Sequence, residues 1–245
     1  MQVFVINLAT ATDRLAYMSE QLDGAFERIE AVRGRSGPAH LQENFVEPTP
    51  LLPGEIGCYT SHLVVAETIL ARGLPYAVVL EDDVELASNF RANVEKAIAL
   101  IRDDWDIVSL SGAKQHPHCP VAPVSDSRNL VRYLHFPKTT AAYVISQSGC
   151  RKLLQQRRRM RPVDVDIRYG WEMELDGYGV FPPPAAQTGR FASSIPKSRK
   201  QRFYWRADPL GYLMGRIAGA RRLGLINLMR AYLQETRLRR SSMAD

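Results

Sequence analysis

The segment YAVVLEDDVEL, residues Tyr76–Leu86, joins an apolar run directly to three consecutive carboxylates, Glu81, Asp82 and Asp83. An apolar run without polar alternation is typical of a strand buried on both faces, as in a parallel sheet. Adjacent carboxylates repel each other, and burying them without partners costs free energy. The fold of this chain must therefore bring a positive partner to the end of this strand.

The remaining segments alternate between strand-like and helix-like patterns, which predicts one α/β domain with a mainly parallel central sheet. Residues 35–54, which hold four prolines, predict a loop, and the Pro-rich stretch 116–127 is interpreted as irregular. Predicted strands besides the acidic one are Val3–Ala9, Phe26–Val32, a segment within Trp105–Gly112, and Thr140–Ser146. Predicted helices begin at Thr12 or Asp13, at Thr60 or Ser61, at Ser88 or Asn89, after Ser146 or Ser148, and near Pro162.

The acidic cluster has two interpretations. In open α/β sheets, ligands bind beyond the carboxyl ends of the strands, where these three acids fall. Paired carboxylates favour Mg²⁺ or Mn²⁺, and a cation that bridges them to a diphosphate would supply the positive partner. Alternatively, the acids cap a helix or form a solvated turn.

Composition limits the class of protein. No stretch reaches the roughly 20 apolar residues that a membrane span requires, and the N-terminus MQVFVINLAT lacks the features of a signal peptide. Cys58, Cys119 and Cys150 cannot all pair with one another, so we expect free thiols in a reducing cytoplasm. The Pro-broken HPHC at His116–Cys119 has no partner cluster, which argues against a zinc site there.

The positive charge is concentrated at the C-terminus. Residues 197–245 carry 12 Lys or Arg and three acids, whereas residues 1–196 carry 20 and 23. Apolar residues recur there at near-helical spacing: Leu213, Ile217, Leu225, Leu228, Met229 and Leu233. We therefore divide the chain into a domain of residues 1–196 and a basic, amphipathic helical extension of residues 197–245. Such a helix either lies on an anionic membrane or packs on the body with a solvated Arg face.

An ordered set of motifs resembles glycosyltransferase family 25. It comprises INL at Ile6–Leu8 followed by Arg14, AVRG at Ala31–Gly34, GEIGC at Gly54–Cys58 with Ser61-His62, LEDDV at Leu80–Val84, Thr140 with AYVIS, and PVD at Pro162–Asp164. The resemblance implies a GT-A type nucleotide-binding sandwich that uses a UDP-sugar donor and a divalent metal, Mn²⁺ or Mg²⁺. The family's usual chemistry is inverting hexose transfer, often of galactose from UDP-galactose, to a lipid-linked lipooligosaccharide or LPS acceptor. With the missing signal peptide and the basic tail, it predicts a cytoplasmic enzyme that is peripheral on the inner membrane, and no nucleic-acid partner is expected.

The resemblance also suggests residue roles. Asp83 is the first candidate for the metal ligand, with Asp82 assisting. Candidate donor-binding residues are Asn7, Leu8, Arg14, Ser61, His62, Glu81, Asp82, Thr140 and Gln187, the last in a loop expected to be flexible. Inversion in one step needs a general base, for which Asp164, Asp166 and Glu174 are the candidates.

Each role has a structural alternative. Asp164 and Ser61 could cap helices, Glu174 could be a solvated helix-end charge, and His62 could be a structural hydrogen-bonding group. All five histidines precede Phe136, so a metal would depend on the acidic cluster, the diphosphate and water. Two other functions compete with catalysis. One is an inactive nucleotide-sugar or glycan-binding module. The other is nucleic-acid binding through the basic tail, which lacks the interleaved aromatics that such binding favours.

Overall fold

The computed structural model describes residues 1–102, 104–112, 117–191 and 209–241. A large sheet contains β1 (Val3–Asn7), β2 (Glu27–Glu30), β3 (Tyr76–Glu81), β5 (Ile107–Ser109), β6 (His118–Ser125), β7 (Arg128–Tyr133), β8 (Ala142–Ser146) and β9 (Gly177–Phe181). A small antiparallel ribbon pairs β4 (Val84–Leu86) with β10 (Ala185–Gln187). The helices are α1 (Thr12–Leu22), α2 (Ala39–Gln42), α3 (Pro53–Ala71), α4 (Phe90–Leu100), α5 (Gln147–Leu154), α6 (Val163–Arg168) and α7 (Pro209–Ser241), with a 3₁₀ turn at Gly170–Met173.

The large sheet has the order β2-β1-β3-β8-β5-β9-β7-β6. Six of its eight strands point in the same direction, and only β7 and β8 run against them. The prediction of an α/β fold with a mainly parallel central sheet is therefore confirmed. This arrangement places the carboxyl ends of β1 and β3 side by side, with Ile6 opposite Glu81.

The core lies on both faces of this sheet. Successive residues of β1 alternate between the faces, so Phe4 and Ile6 join the apolar layer beneath α3, whereas Val3 and Val5 join the layer beneath α1 and α4. All five residues of β1 are buried. This two-sided burial explains why the strand shows a continuous apolar run rather than an alternating pattern.

Three sequence-based predictions of local structure are wrong. Helix α3 begins at Pro53 and not at Thr60 or Ser61, because proline suits the first turn and the Glu55 carboxylate accepts the Leu52 backbone N–H at 2.8 Å. The region predicted as a loop also contains α2. The stretch interpreted as irregular forms β6, which pairs with β7 in a hairpin that is shifted in register at its prolines. His116 lies outside the described residues.

Part of the C-terminal helix packs on the body. Leu223 is buried beside Cys119 and Leu134, and a Cβ on Gly219 would lie 2.4 Å from the Leu134 carbonyl oxygen. The backbone is non-helical at Gly224 (φ 71°), where two helical pieces meet. Of the residues expected to form its apolar stripe, Leu213, Ile217, Met229 and Leu233 are exposed, whereas the Leu225 side chain and the proposed boundary at residue 196 lie outside the described residues. Among the helices that the structure describes, none is both long and apolar enough to cross a bilayer.

Gly57 sets how closely α3 approaches the turn after β2. A Cβ at this position would lie 2.3 Å from the Val32 carbonyl oxygen and 2.7 Å from the Gly34 nitrogen, both of which are backbone atoms. We therefore expect Gly57→Ala to lower the free energy of unfolding by about 1–3 kcal/mol. Thermal unfolding measures this change, and Gly189→Ala, where a Cβ meets open space, is the control. Equal melting temperatures for the two variants would contradict the close approach.

Candidate active site

Asp82 is held by two side chains from neighbouring elements. Asn7, at the end of β1, donates from Nδ2 to Asp82 Oδ2 at 2.7 Å, and Arg14, in α1, donates from Nη1 to Asp82 Oδ1 at 2.8 Å. Asp82 is buried. Arg14 therefore supplies the positive partner that the sequence of the acidic cluster requires. Since both carboxylate oxygens of Asp82 accept hydrogen bonds, this residue is poorly placed to be the main metal ligand.

Asn7 uses its whole amide group to organise the turn between β1 and α1. Besides bonding Asp82, its Nδ2 donates to the Ala11 carbonyl at 3.0 Å, and its Oδ1 accepts from Arg28 Nε at 3.1 Å. Leu8, another predicted donor-binding residue, lies in this turn and accepts the Ala11 N–H. Asn7 is therefore placed to position Asp82, and Arg28 is a contributor that the sequence analysis did not identify.

Asp83 differs from Asp82 because part of its carboxylate has no partner. Its Oδ2 lies 3.9 Å from Arg14 Nη1, whereas its buried Oδ1 has no hydrogen-bond partner. Burial, followed by the charge of Glu81, raises the pKa of Asp83 to about 6, although Arg14 and a hydrogen bond from Gln187 oppose the shift. An unpartnered buried carboxylate oxygen beside two other acids fits a divalent cation ligand.

Gln187 reaches this carboxylate from β10, where it pairs with Val84 across the small ribbon. The Thr188 backbone N–H also donates to the Asp83 carbonyl at 2.8 Å. The prediction that Gln187 lies in a flexible loop is therefore wrong, because β10 fixes it beside Asp83. The next residues continue over α1, where Phe191 lies 5.5 Å from the Tyr17 ring and 5.3 Å from the Arg14 guanidinium.

Glu81 faces the opposite side of the cluster. Its Oε1 accepts from Thr140 Oγ1 at 2.7 Å and lies 3.6 Å from His62 Nε2. Burial alone would raise the pKa of Glu81, but His62, Thr140 and Arg14 outweigh it and the pKa is lowered. His62 Nδ1 in turn pairs with the Tyr143 hydroxyl at 2.8 Å. The structure therefore brings the side chains of Glu81, His62 and Thr140 into one group.

Ser61 has a different place from the one predicted. It lies in the middle of α3, is buried, and donates from Oγ to the Gly57 carbonyl while accepting the Val32 N–H at 2.8 Å. It does not cap the helix. Because its hydroxyl is used on both sides by backbone groups, Ser61 ties α3 to the turn after β2, and these contacts do not support direct donor binding.

Of the three candidate bases, Asp164 has the environment that best suits a general base. It sits in the first turn of α6, one residue past the start, so it does not occupy the capping position held by Pro162. Its side chain is 28% exposed and lies 4.0 Å from Lys138 Nζ. Burial raises the pKa of Asp164, Lys138 lowers it, and the charge of Glu81 raises it further. The charge of the acidic cluster therefore affects the pKa of Asp164.

Asp166 and Glu174 have other roles. Asp166 is buried, with Oδ1 accepting from Arg161 Nε at 2.9 Å and Oδ2 accepting from Arg157 at 2.6 Å and from the Tyr59 hydroxyl at 2.9 Å. Glu174 is exposed at the end of the 3₁₀ turn, in a left-handed conformation. The structure argues against both as the base, since one is enclosed by cations and the other projects to solvent.

Comparison with known proteins identifies relatives. The family model for glycosyltransferase family 25 (LPS biosynthesis protein) matches residues 1–168. Inactive glycosyltransferase 25 family member 3 of Mus musculus is 31% identical over 219 residues, covering 76% of this chain and 37% of that protein. The probable inactive member 3 of Bos taurus is 34% identical, covering 76% and 36%. Procollagen galactosyltransferase 1-B of Xenopus laevis is 31% identical over 182 residues, covering 66% and 30%. The chain therefore spans about a third of the length of these relatives.

Proposed function

The chain belongs to glycosyltransferase family 25, and on this premise we propose that it transfers a hexose from a UDP-sugar to a sugar hydroxyl with inversion. One observation carries the proposal. Three carboxylates gather at the adjoining ends of β1 and β3, Arg14 compensates part of their charge, and Asp83 keeps an oxygen without a hydrogen-bond partner. This is the edge of an α/β sheet at which nucleotide ligands bind.

The donor-site residues have separate tasks in this proposal. Asp83, with Asp82 beside it, would hold Mn²⁺ or Mg²⁺, which as a Lewis acid would neutralise charge on the departing diphosphate. Asn7 and Arg14 fix the orientation of Asp82. Gln187 and Thr188 fix Asp83 from the ribbon side. The carboxylates are thereby held in place before the donor arrives, which reduces the cost of reorganisation during transfer.

Asp164 is the general base in this proposal. The acceptor oxygen forms its bond to the anomeric carbon as the bond from that carbon to the diphosphate breaks, so UDP leaves with the electron pair. The acceptor proton passes to Asp164. A carboxylate whose pKa is raised by burial accepts a proton more readily than a solvated one, which suits this task. Lys138 at 4.0 Å favours the ionised carboxylate and so opposes the effect of burial on the pKa of Asp164.

Asp164→Asn tests this role. We expect kcat to fall by about 10²-fold, because the amide cannot accept the proton, while calorimetric affinity for UDP stays the same. Glu174→Gln is the matched control, because Glu174 is an exposed acid. The kcat of this variant should equal that of the wild type. A wild-type kcat for Asp164→Asn together with a loss in Glu174→Gln would reverse the assignment.

The donor and acceptor are proposed from the relatives. A galactosyl donor is supported by the name of the Xenopus laevis relative, and an LPS or lipooligosaccharide acceptor by the description of the family. Transfer should be measured with UDP-galactose, UDP-glucose and UDP-N-acetylglucosamine and with lipooligosaccharide fragments, and the anomeric configuration of the product read by NMR. A product with a retained anomeric configuration would exclude the inverting mechanism.

A second candidate function is a binding module without turnover. It is favoured by the word "inactive" in the names of relatives from mouse and cattle that are at least 31% identical. Such a module would bind UDP or a glycan and leave every donor intact. The same donor panel distinguishes the two functions, because only an enzyme releases UDP.

We also propose a peripheral location on the cytoplasmic face of the inner membrane. Support comes from seven Arg residues between 216 and 240 and from the exposed side chains of Leu210, Leu213 and Met214 on α7. The full chain should co-sediment with phosphatidylglycerol vesicles and be released by salt. Equal binding to neutral phosphatidylcholine vesicles, or no binding to either, would contradict the proposal and leave α7 as a helix that serves the fold alone.

A further inference from the structure

The Cys58 thiol and the His62 imidazole lie beside Glu81, and this group does not include Asp83. Cys58 and His62 are four residues apart on α3, so both side chains face the same side of the helix. Cys58 Sγ, one ring nitrogen of His62 and a carboxylate oxygen of Glu81 all lie within 4.8 Å of one another. The proposed transfer reaction gives no role to the thiol.

The imidazole in this group has an unsatisfied nitrogen. His62 is 1% exposed, and its Nε2 has no hydrogen-bond partner while lying 3.6 Å from Glu81 Oε1. A buried polar atom without a partner is costly, and a bound cation would remove that cost. The other nitrogen, Nδ1, pairs with the Tyr143 hydroxyl at 2.8 Å, and this contact fixes the ring orientation in the way that partners of metal-bound histidines do.

The group is also reachable from outside. Cys58 is partly exposed, and the Glu81 side chain is 24% exposed, whereas His62 forms the buried floor. The 3.6 Å between His62 Nε2 and Glu81 Oε1 is close to the spacing of two ligand atoms on one tetrahedral ion with bonds of about 2.0–2.1 Å. His62 and Glu81 are therefore already spaced for one ion, and Cys58 Sγ lies within 4.8 Å of both ligand atoms.

We propose that Cys58, His62 and Glu81 form a binding site for one thiophilic divalent cation, with Zn²⁺ as the model ion. Sulfur and nitrogen ligands select Zn²⁺ or Co²⁺ over Mg²⁺ and Mn²⁺, which prefer oxygen ligands such as Asp83. The thiol gives its proton to the solvent on binding, so that sulfur coordinates as the thiolate. Three protein ligands leave a fourth position for water or another small ligand.

Titration of the full chain with Co²⁺ tests this site without a donor or an activity assay. We expect a sulfur-to-cobalt charge-transfer absorption that saturates at one ion per chain and is displaced by Zn²⁺. Cys58→Ser should abolish the absorption, and His62→Gln should weaken Zn²⁺ affinity by about tenfold or more. Cys119→Ser is the matched control, because Cys119 is a buried thiol whose Sγ bonds the Asn227 carbonyl, and it should titrate like the wild type.

A second measurement needs no variant, so it holds even where a substitution disturbs folding. Zn²⁺ should slow the alkylation of Cys58 by iodoacetamide in the wild-type chain, as read by peptide mass spectrometry, whereas Mg²⁺ should leave the rate unchanged. The proposal is overturned if the wild type shows no charge-transfer absorption, if Cys58→Ser keeps it, or if Zn²⁺ leaves the alkylation of Cys58 unaffected. Because none of these readouts involves a UDP-sugar, failure here is separate from failure of the proposed transferase function.

Discussion

Replacing Asp83 with asparagine is expected to lower kcat by about 10³-fold and, at the same time, to stabilise the metal-free protein. The loss of activity follows from removing the carboxylate oxygen that has no partner within the protein and is therefore available for the donor complex. The expected loss lies in kcat rather than in the donor KM if the interaction strengthens as charge builds on the diphosphate. Steady-state release of UDP measures both constants.

The stability effect has a definite sign. The pKa of Asp83 is raised from 3.8 to about 6 in the folded protein, mainly by burial and then by Glu81, so the ionised group is less favourable in the folded than in the unfolded state. This free-energy penalty for ionised Asp83 is full above about pH 6. It disappears as the pH falls from the pKa of the folded state towards that of the unfolded state. Asp83→Asn should therefore raise the free energy of unfolding by at most about 3 kcal/mol at neutral pH. The gain should disappear in acid.

The experiment compares thermal unfolding in EDTA well above and well below this pKa. Asp126→Asn, an exposed acid in the turn between β6 and β7, is the control and should change neither kcat nor the melting temperature. An Asp83→Asn variant that is destabilised at neutral pH would show that the carboxylate has a stabilising partner in solution. An active Asp83→Asn variant would remove Asp83 from the donor site.

Replacing Asp166 with asparagine is expected to cause the largest loss of stability. The carboxylate is buried and accepts hydrogen bonds from Arg157, Arg161 and Tyr59, and Arg161 also pairs with Glu172. Removing one partner of a buried ion pair leaves the others uncompensated, which costs about 3–5 kcal/mol. For a chain of this size the melting temperature should fall by about 10 °C.

The same variant separates structure from catalysis. Because Asp166 is enclosed by cations, Asp166→Asn should retain the wild-type kcat per folded molecule at a temperature where it is folded. Tyr59→Phe, which removes a hydroxyl that donates to Asp166 and accepts from the buried Arg159 guanidinium, should lower the free energy of unfolding by about 1–3 kcal/mol. A fully stable Asp166→Asn variant with lost turnover would make Asp166 the base and contradict the placement described above.

The sequence predicted the cluster better than it predicted the partners within it. Three acids at the end of an apolar strand indicate that positive charge is nearby. The sequence analysis assigned that charge to a divalent cation and Arg14 to the donor, whereas in the structure Arg14 itself pairs with Asp82. The interaction of Arg28 with Asn7 could not be read from the chain, because it depends on β2 lying beside β1. Cys58 and His62 had a readable signal, the i, i+4 spacing on a helix, but it became visible only once α3 was known to begin at Pro53.

Asp164 and Asp166 show why roles are harder to predict than positions. Both lie in one short helix, two residues apart, so the sequence alone predicts the role of general base equally well for either residue. Their environments differ because Arg157 and Arg161 enclose Asp166, whereas Asp164 remains partly exposed near Lys138.

Strand β6 was missed because of its prolines. Its two prolines oppose a strand assignment, but β6 lies at the edge of the sheet, where missing backbone donors are tolerated.

Release of UDP from UDP-galactose, measured with and without Mn²⁺ for the wild type and for Asp83→Asn, tests the central claim most directly. The wild type should hydrolyse this donor slowly in the absence of acceptor and faster with Mn²⁺, and Asp83→Asn should lose nearly all of this activity while keeping its fold. If the wild type leaves UDP-galactose and every other UDP-sugar intact, and calorimetry detects no binding of UDP, the acidic cluster at Glu81–Asp83 is not a donor site and the proposed function is wrong.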